Sequence, residues 1–355
     1  MTPAELSRTV LRAVRRAVDD GELDAAVCAA EQRVVVERPR PGGQGDYATN
    51  VALQLARPAG RPPRQVAEIL SRRLEGSPGI GGVVVTGPGF LNVTLLDPAT
   101  ASGALVTEIL RAGYRYGFTE GPTGQVVQLH APREVRALVV MDSVARLLRS
   151  QGALVRTSCA GQPPPEWVDV LGVQVDASGG TPLDADVNVR PVPAPADPVP
   201  LGRDAARWAL LHSAGHDRPR IADEGDAHLA QRETNPLFRV RYAHARTRAL
   251  TRGAADLGFT AAPGDVPGQE DLLAALADHP RILRAAAERH APDRLARHLV
   301  GLADTFMASL HPAVLPQGEE KPSAAHRARL ALAEAVGTVL AGGLTLLGID
   351  APENL

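Results

Sequence analysis

The chain has 355 residues, 44% apolar and 22% charged, enough for roughly two or three domains with packed cores and too apolar for wholesale disorder. A formal charge of −2 with 3% aromatic residues gives no bulk sign of a nucleic-acid partner and argues against base-stacking platforms. Lysine occurs once, at Lys321, so the Gly-Lys pair of a Walker phosphate loop is absent. Two cysteines, Cys28 and Cys159, cannot build a disulfide framework. No signal peptide or membrane span is legible, which makes the cytoplasm the expected compartment and leaves membrane and DNA out of the expected partners.

Residues 2–19 read as an amphipathic helix capped by Thr2, with Leu6, Val10, Val14 and Val18 on one stripe. A strand is expected at 33–37, helices at 46–55 and 65–74, and two strands, 81–86 and 90–95, joined by Gly87-Pro88-Gly89. A helix at 100–112 completes a compact α+β domain, residues 1–118. Val126–Leu129, a helix at 134–150 and Ala153–Thr157 then read as β-α-β, the opening of a parallel sheet. The Pro-rich stretch that follows favours extended chain, so residues 119–200 are expected to form a short α/β connector. From Leu201 to Leu355 the pattern is helical, with helices at 202–213, 225–253, 269–288, 291–310 and 323–347. Asn235-Pro236 inside the second of these is a cap followed by proline, where a new helix should start. The expected fold class is α+β and multi-domain, with an all-α bundle at residues 201–355.

Three segments in order resemble arginyl-tRNA synthetases. Gly45-Asp46-Tyr47-Ala48-Thr49-Asn50-Val51-Ala52, followed by Gly87-Pro88-Gly89-Phe90-Leu91-Asn92, is similar to that family's N-terminal additional domain. Asn235-Pro236-Leu237-Phe238-Arg239-Val240-Arg241-Tyr242-Ala243-His244-Ala245-Arg246, preceded by GRDAARWALL at 202–211, is similar to the opening of its DALR anticodon-binding domain. GGLTLLGIDAPENL at 342–355 is similar to its C-terminal tail. The resemblance implies a class I nucleotide-binding core with a His-x-Gly-His signature after the first strand. Anchored on Asp142-Ser143-Val144-Ala145-Arg146-Leu147-Leu148, that signature falls on Ala131-Pro132-Arg133-Glu134. Both histidines and the glycine are gone, and Glu134 at a helix start would repel a polyphosphate. The Lys-Met-Ser-Lys type loop has no counterpart. On the order of 200 residues of core, a domain's worth, are missing. No catalytic residue, cofactor or metal site is therefore expected. His212-Ser213-Ala214-Gly215-His216 is one residue too long for the signature and reads as a helix-ending turn with Gly215 as its cap.

The local basic patch is Arg232, Arg239, Arg241, Arg246, Arg248 and Arg252. On an ideal helix the arginines form two stripes between two apolar faces, which places the helix centrally in its bundle. Arg239, Arg241, Tyr242, Arg246 and Arg248 are the candidate tRNA-binding residues of the bundle, the arginines through bidentate phosphate contact; salt bridges to the bundle's own acids are the alternative. In the N-terminal domain, the resemblance assigns Phe90 and Asn92 to an extruded base of the tRNA, with burial and turn-capping as the alternative. The functional expectation is a non-catalytic paralogue that binds tRNA. A protein-interaction subunit without RNA, and a residual arginine–tRNA ligase, stay open beside it.

Overall fold

The computed structural model describes residues 3–24, 27, 34–39, 44–77, 79–95, 98–179, 185–221 and 225–355. Thr2, Cys28 and Arg33 lie outside these. The chain forms two units, Met1–Leu105 and Val106–Leu355.

The first unit holds α1 (Pro3–Asp19), β1 (Val36–Glu37), β2 (Tyr47–Thr49), α2 (Val51–Leu55), α3 (Pro63–Leu74), β3 (Ile80–Thr86) and β4 (Phe90–Leu95). Its strands pair antiparallel in the order β1-β2-β4-β3. The stripe on α1 works as read: Leu6, Val10 and Val14 join Leu55, Val66, Leu70, Leu91 and Val93 in one buried core. Strand β4 alternates accordingly, with Leu91, Val93 and Leu95 buried and Phe90 and Thr94 exposed.

The expected helix at 46–55 is only half helix. Tyr47–Thr49 pairs with β4, Tyr47 opposite Val93 and Thr49 opposite Leu91, and the helix begins at Val51. Asp46 does not start a helix; its carboxylate accepts the N–H of Leu95 at 2.7 Å. Gly45 makes this pairing possible. It sits at φ +84, and a Cβ there would lie 2.9 Å from the Val93 carbonyl.

Helix α4 (Pro98–Ala112) crosses the division between the units. The second unit continues with β5 (Val126–Ala131), α5 (Val135–Ser150), β6 (Leu154–Cys159), α6 (Pro165–Asp169), β7 (Ala177–Ser178) and β8 (Val187–Asn188). The β-α-β reading holds, and the Pro-rich stretch adds to it: β7 and β8 extend the sheet on either side, all strands parallel, in the order β7-β6-β5-β8. Each added strand is two residues long, and an aspartate takes over the ladder beside it. Asp176 accepts the backbone N–H and hydroxyl of Thr157 at 2.7 and 2.9 Å, and Asp186 accepts the N–H of Gln128 at 2.8 Å. Those bonds, led by the Thr157 N–H, hold the Asp176 carboxyl below its ordinary range.

The bundle follows: α7 (Gly202–Leu211), α8 (Gly225–Leu229), α9 (Pro236–Asp256), α10 (Glu270–Glu288), α11 (Pro292–Thr305) and α12 (Ala324–Leu347). Asn235 caps α9 as expected, accepting the N–H of Leu237 and donating to the carbonyls of His228 and Ala230. Ser323 and His326 form a reciprocal capping box on α12. By length and composition α12 could cross a bilayer, but 83% of its apolar window is buried in the bundle.

Candidate nucleic-acid interface

Helix α9 buries Leu237, Val240, Ala243, His244, Ala245, Thr247, Leu250 and Ala254, so its arginines emerge at the margins of a packed helix. Each of the four candidate arginines meets a partner in the same unit. Arg239 pairs with Asp304 at 3.0 Å and Arg241 with Asp204 at 3.4 Å. Arg248 pairs with Glu353 at 2.9 Å. The Arg246 Nε–H donates to Nε2 of His311 at 3.0 Å, and Arg252 donates to Asn354 at 2.9 Å. Arg232 is exposed ahead of the helix. Tyr242, 37% exposed, stacks on Phe238 with ring centroids 5.5 Å apart and planes at 20°.

The segment after α12 lies along this helix. His244 donates from Nδ1 to the Pro352 carbonyl at 3.0 Å, and burial holds its imidazole below the ordinary histidine range. Burial, aided by the Arg246 charge, lowers His311 as well; the neutral ring is the form that accepts from Arg246. The pairs of Arg239 and Arg248 are open to solvent on both sides. Such pairs contribute about 0.2–1 kcal/mol and exchange partners readily. The Nε–H groups of Arg239 and Arg241 are buried without a hydrogen-bond partner.

In the first unit, Phe90 opens β4 and is 40% exposed. Asn92, on the same side of the strand, is buried, and its amide donates to the Thr86 hydroxyl at 2.8 Å across the β3–β4 turn. The aromatic is presented to solvent; the amide N–H₂ is engaged in holding the turn.

The parallel sheet has its own candidate position, the N-terminus of α5 beyond the carboxyl end of β5, where such folds bind anions. Here the helix end is closed by its own chain. The Glu134 carboxylate accepts the N–H groups of Arg136 and Ala137 at 3.1 and 2.8 Å and also that of Ala194 at 3.1 Å. His130 is buried at the strand end, bonded through Nδ1 to the Ser158 hydroxyl at 2.9 Å. Arg133 reaches the Gln162 carbonyl at 2.8 Å. Among the described residues no group of three or more His, Cys, Asp or Glu could hold a metal ion.

Two arginines outside the candidate set organise this region. Arg136 is fully buried and donates to the carbonyls of Leu210, Val192, Asp217, Ser213 and Ala214 at 2.7–3.1 Å. The turn at 212–216 is therefore shaped by Arg136. Gly215 is not the left-handed cap expected of it; its carbonyl accepts the Val192 N–H. Arg207 is also fully buried. It donates to Asp142 at 2.6 Å, to Ser143, and to the carbonyls of Leu347 and Leu171. Burial pushes both guanidinium groups below the ordinary arginine value. Gly348 ends α12 at φ +71, and a Cβ there would lie 2.5 Å from the Arg207 guanidinium. An arginine on an apolar helix face (VRALVV, AARWALL) was the only sign of these groups in the sequence.

Residues 5–95 match the family described as the arginyl tRNA synthetase N terminal domain, and residues 240–355 the DALR anticodon binding domain. An arginine–tRNA ligase from Frankia alni is 28% identical over 565 aligned positions that span all of both chains. This chain supplies 355 residues to that alignment, leaving 210 positions to the relative alone. One from Micrococcus luteus is 44% identical over 165 residues, covering 43% of this chain and 29% of the other. Among solved structures, the Thermus thermophilus arginyl-tRNA synthetase superposes with a TM-score of 0.66 at 15% identity, covering all of both chains. The Plasmodium falciparum arginyl-tRNA synthetase gives 0.60 at 10%, covering 99% of each. The chain is thus an arginyl-tRNA synthetase-like protein, carrying that family's N-terminal and DALR domains.

Proposed function

We propose that the protein binds tRNA without charging it. The observation that carries this is the Glu134 carboxylate at the α5 N-terminus. In the family's class I core a polyphosphate would be held at this helix end; here an anion of the chain itself fills it. An incoming triphosphate would have to displace a capping carboxylate and overcome its charge. The residues aligned with the family's histidine signature are Ala131, Pro132, Arg133 and Glu134, and Lys321 is the single lysine. The three-part division at 1–118, 119–200 and 201–355 belongs to this proposal. So do the RNA contacts assigned to Arg239, Arg241, Tyr242, Arg246 and Arg248 in the bundle and to Phe90 and Asn92 in the first domain. The curated relatives bear the name arginine–tRNA ligase, which supports tRNA as the partner class and tRNA-Arg as the first to test.

The test has two arms. Filter binding of tRNA across 50–400 mM salt should give specific affinity with a steep salt slope, while arginine-dependent ATP–pyrophosphate exchange should stay at background. Exchange above background would overturn the non-catalytic half; affinity no better than for random RNA would overturn the other. A second reading, a protein-binding regulatory subunit, is favoured by the intramolecular pairing of all four candidate arginines. A partner protein retrieved equally well after ribonuclease treatment would support it.

A further inference from the structure

Helix α1 has two unlike faces. Leu6, Val10, Ala13, Val14 and Ala17 are buried in the first unit, and Arg8, Arg12, Arg15 and Arg16 are exposed on the other side. At ~100° per residue, Arg8, Arg12 and Arg15 fall within an arc of roughly 60°, with Arg16 at its margin. Arg8 and Arg12 are four residues apart and Arg12 and Arg15 three, so these side chains are neighbours on the helix surface. Like charges so placed weaken a helix. The helix's acids, Glu5 and Asp19, stand at its two ends, and none interrupts the run. The acids that follow, Asp20 and Glu22, are engaged by Arg73 of α3 at 2.7 and 2.8 Å. Arg12 donates to Thr9 within the helix, and among the described residues no carboxylate pairs with Arg12, Arg15 or Arg16.

Arg12, Arg15 and Arg16, with no carboxylate partner among the described residues, fit a ligand with repeated anionic groups. We propose that the exposed face of α1 is a contact for the phosphate backbone of RNA, separate from the α9 arginines and from the Phe90 face, and that it reads charge and not sequence. The proposal rests on the tRNA-binding function above and extends it to a new surface. A membrane surface fits less well. A helix that lies in a bilayer interface must insert its apolar side, and the apolar side of α1 is already packed in the core. Arginine's planar fork suits bidentate phosphate contact, and i to i+4 steps of about 6 Å along the helix axis let several side chains follow one strand.

The experiment uses the full chain with Arg12→Gln, Arg15→Gln and Arg16→Gln combined, beside a variant with lysine at the same three positions. Thermal melts report folding; relief of like-charge repulsion should leave the glutamine variant at least as stable as the parent. For the glutamine variant, the slope of log affinity for tRNA against log salt should become shallower by about 2–3, at ~0.7–0.9 per lost phosphate contact. Affinity at low salt should fall on the order of tenfold or more, and equally for an unrelated RNA duplex. The lysine variant should keep the slope. An unchanged slope in the glutamine variant, with the parent binding tRNA normally, overturns this proposal and leaves the general function standing. A parent that binds no RNA overturns both. Parent binding to phosphatidylserine vesicles that the glutamine variant loses, with RNA affinity intact, assigns the stripe to lipid and overturns it too.

Discussion

The molecule uses arginine in two ways within a single unit. Arg136 and Arg207 are fully buried, and together they are surrounded by carbonyls, a carboxylate and a hydroxyl that engage most of their donors. Arg239, Arg241, Arg246 and Arg248 stand at the rim of α9 with one ionic or imidazole partner each. The chemistry of the group is the same; the dielectric and the number of filled donors differ. A saturated guanidinium in a low-dielectric interior cannot be released, because its partners would be stranded. One at the rim loses little by changing partner. The first kind fixes where the parallel sheet, α7 and the end of α12 meet. The second kind is the one the proposed tRNA contact uses.

Replacing Arg207 with Ala is the hardest test of that contrast. It leaves the Asp142 carboxylate buried without its closest cation and should cost about 3–5 kcal/mol, read as a lower urea midpoint. A loss under 1 kcal/mol would show that the buried set is no more binding than the rim set. Next is an acid effect from α10 and α11. His279 and His298 lie 5.3 Å apart, ring to ring, and burial lowers His298 to about 4 and His279 well below its ordinary value. Between pH 6.5 and 4 the unfolded chain therefore binds more protons than the folded one, so stability falls as pH falls. For His298 alone the loss approaches on the order of 3 kcal/mol; His298→Phe should flatten that part of a urea-midpoint profile. Glu134→Ala removes the α5 cap and should cost about 1–2 kcal/mol in the urea series. Pyrophosphate exchange should remain at background in that variant; its appearance would mean that the carboxylate alone had been blocking a competent site. The smallest effects belong to the rim. Arg248→Gln should change stability by less than about 1 kcal/mol, yet weaken tRNA binding and reduce its salt slope by about 0.7–0.9. Glu353→Gln, which frees Arg248, should raise tRNA affinity about two- to threefold, consistent with the small worth of an exposed pair.

Local chemistry made much of the architecture legible in the sequence. Asn235 before Pro236 marked the start of α9 because a cap and a proline at the first turn act within a few residues. The stripe on α1 and the strands around Gly87-Pro88-Gly89 were readable for the same reason. Tyr47–Thr49 was not, since its strand state depends on β4, more than forty residues away in sequence. β7 and β8 escaped notice because two residues carry no periodicity; their pairing is set by the neighbouring strands. Glu134 was legible as a negative charge at a helix start. That its carboxylate also holds Ala194 depends on a loop sixty residues on. The α9 arginines were found as a patch, but their partners Asp204, Asp304, His311 and Glu353 come from four different segments. Arg136 and Arg207 lie on apolar helix faces in the sequence, but their partners come from segments that only the closed fold brings together.

The two aspartates at the borders of the parallel sheet have a further consequence. A sheet whose outer strands are two residues long presents open margins that other chains could extend by β-addition, the first step of cross-β assembly. Asp176 and Asp186 occupy backbone donors at those margins with groups that repel a neighbouring chain carrying the same charge. Solubility of the protein is in this sense guarded by two side chains, and replacing both with asparagine should promote intermolecular association.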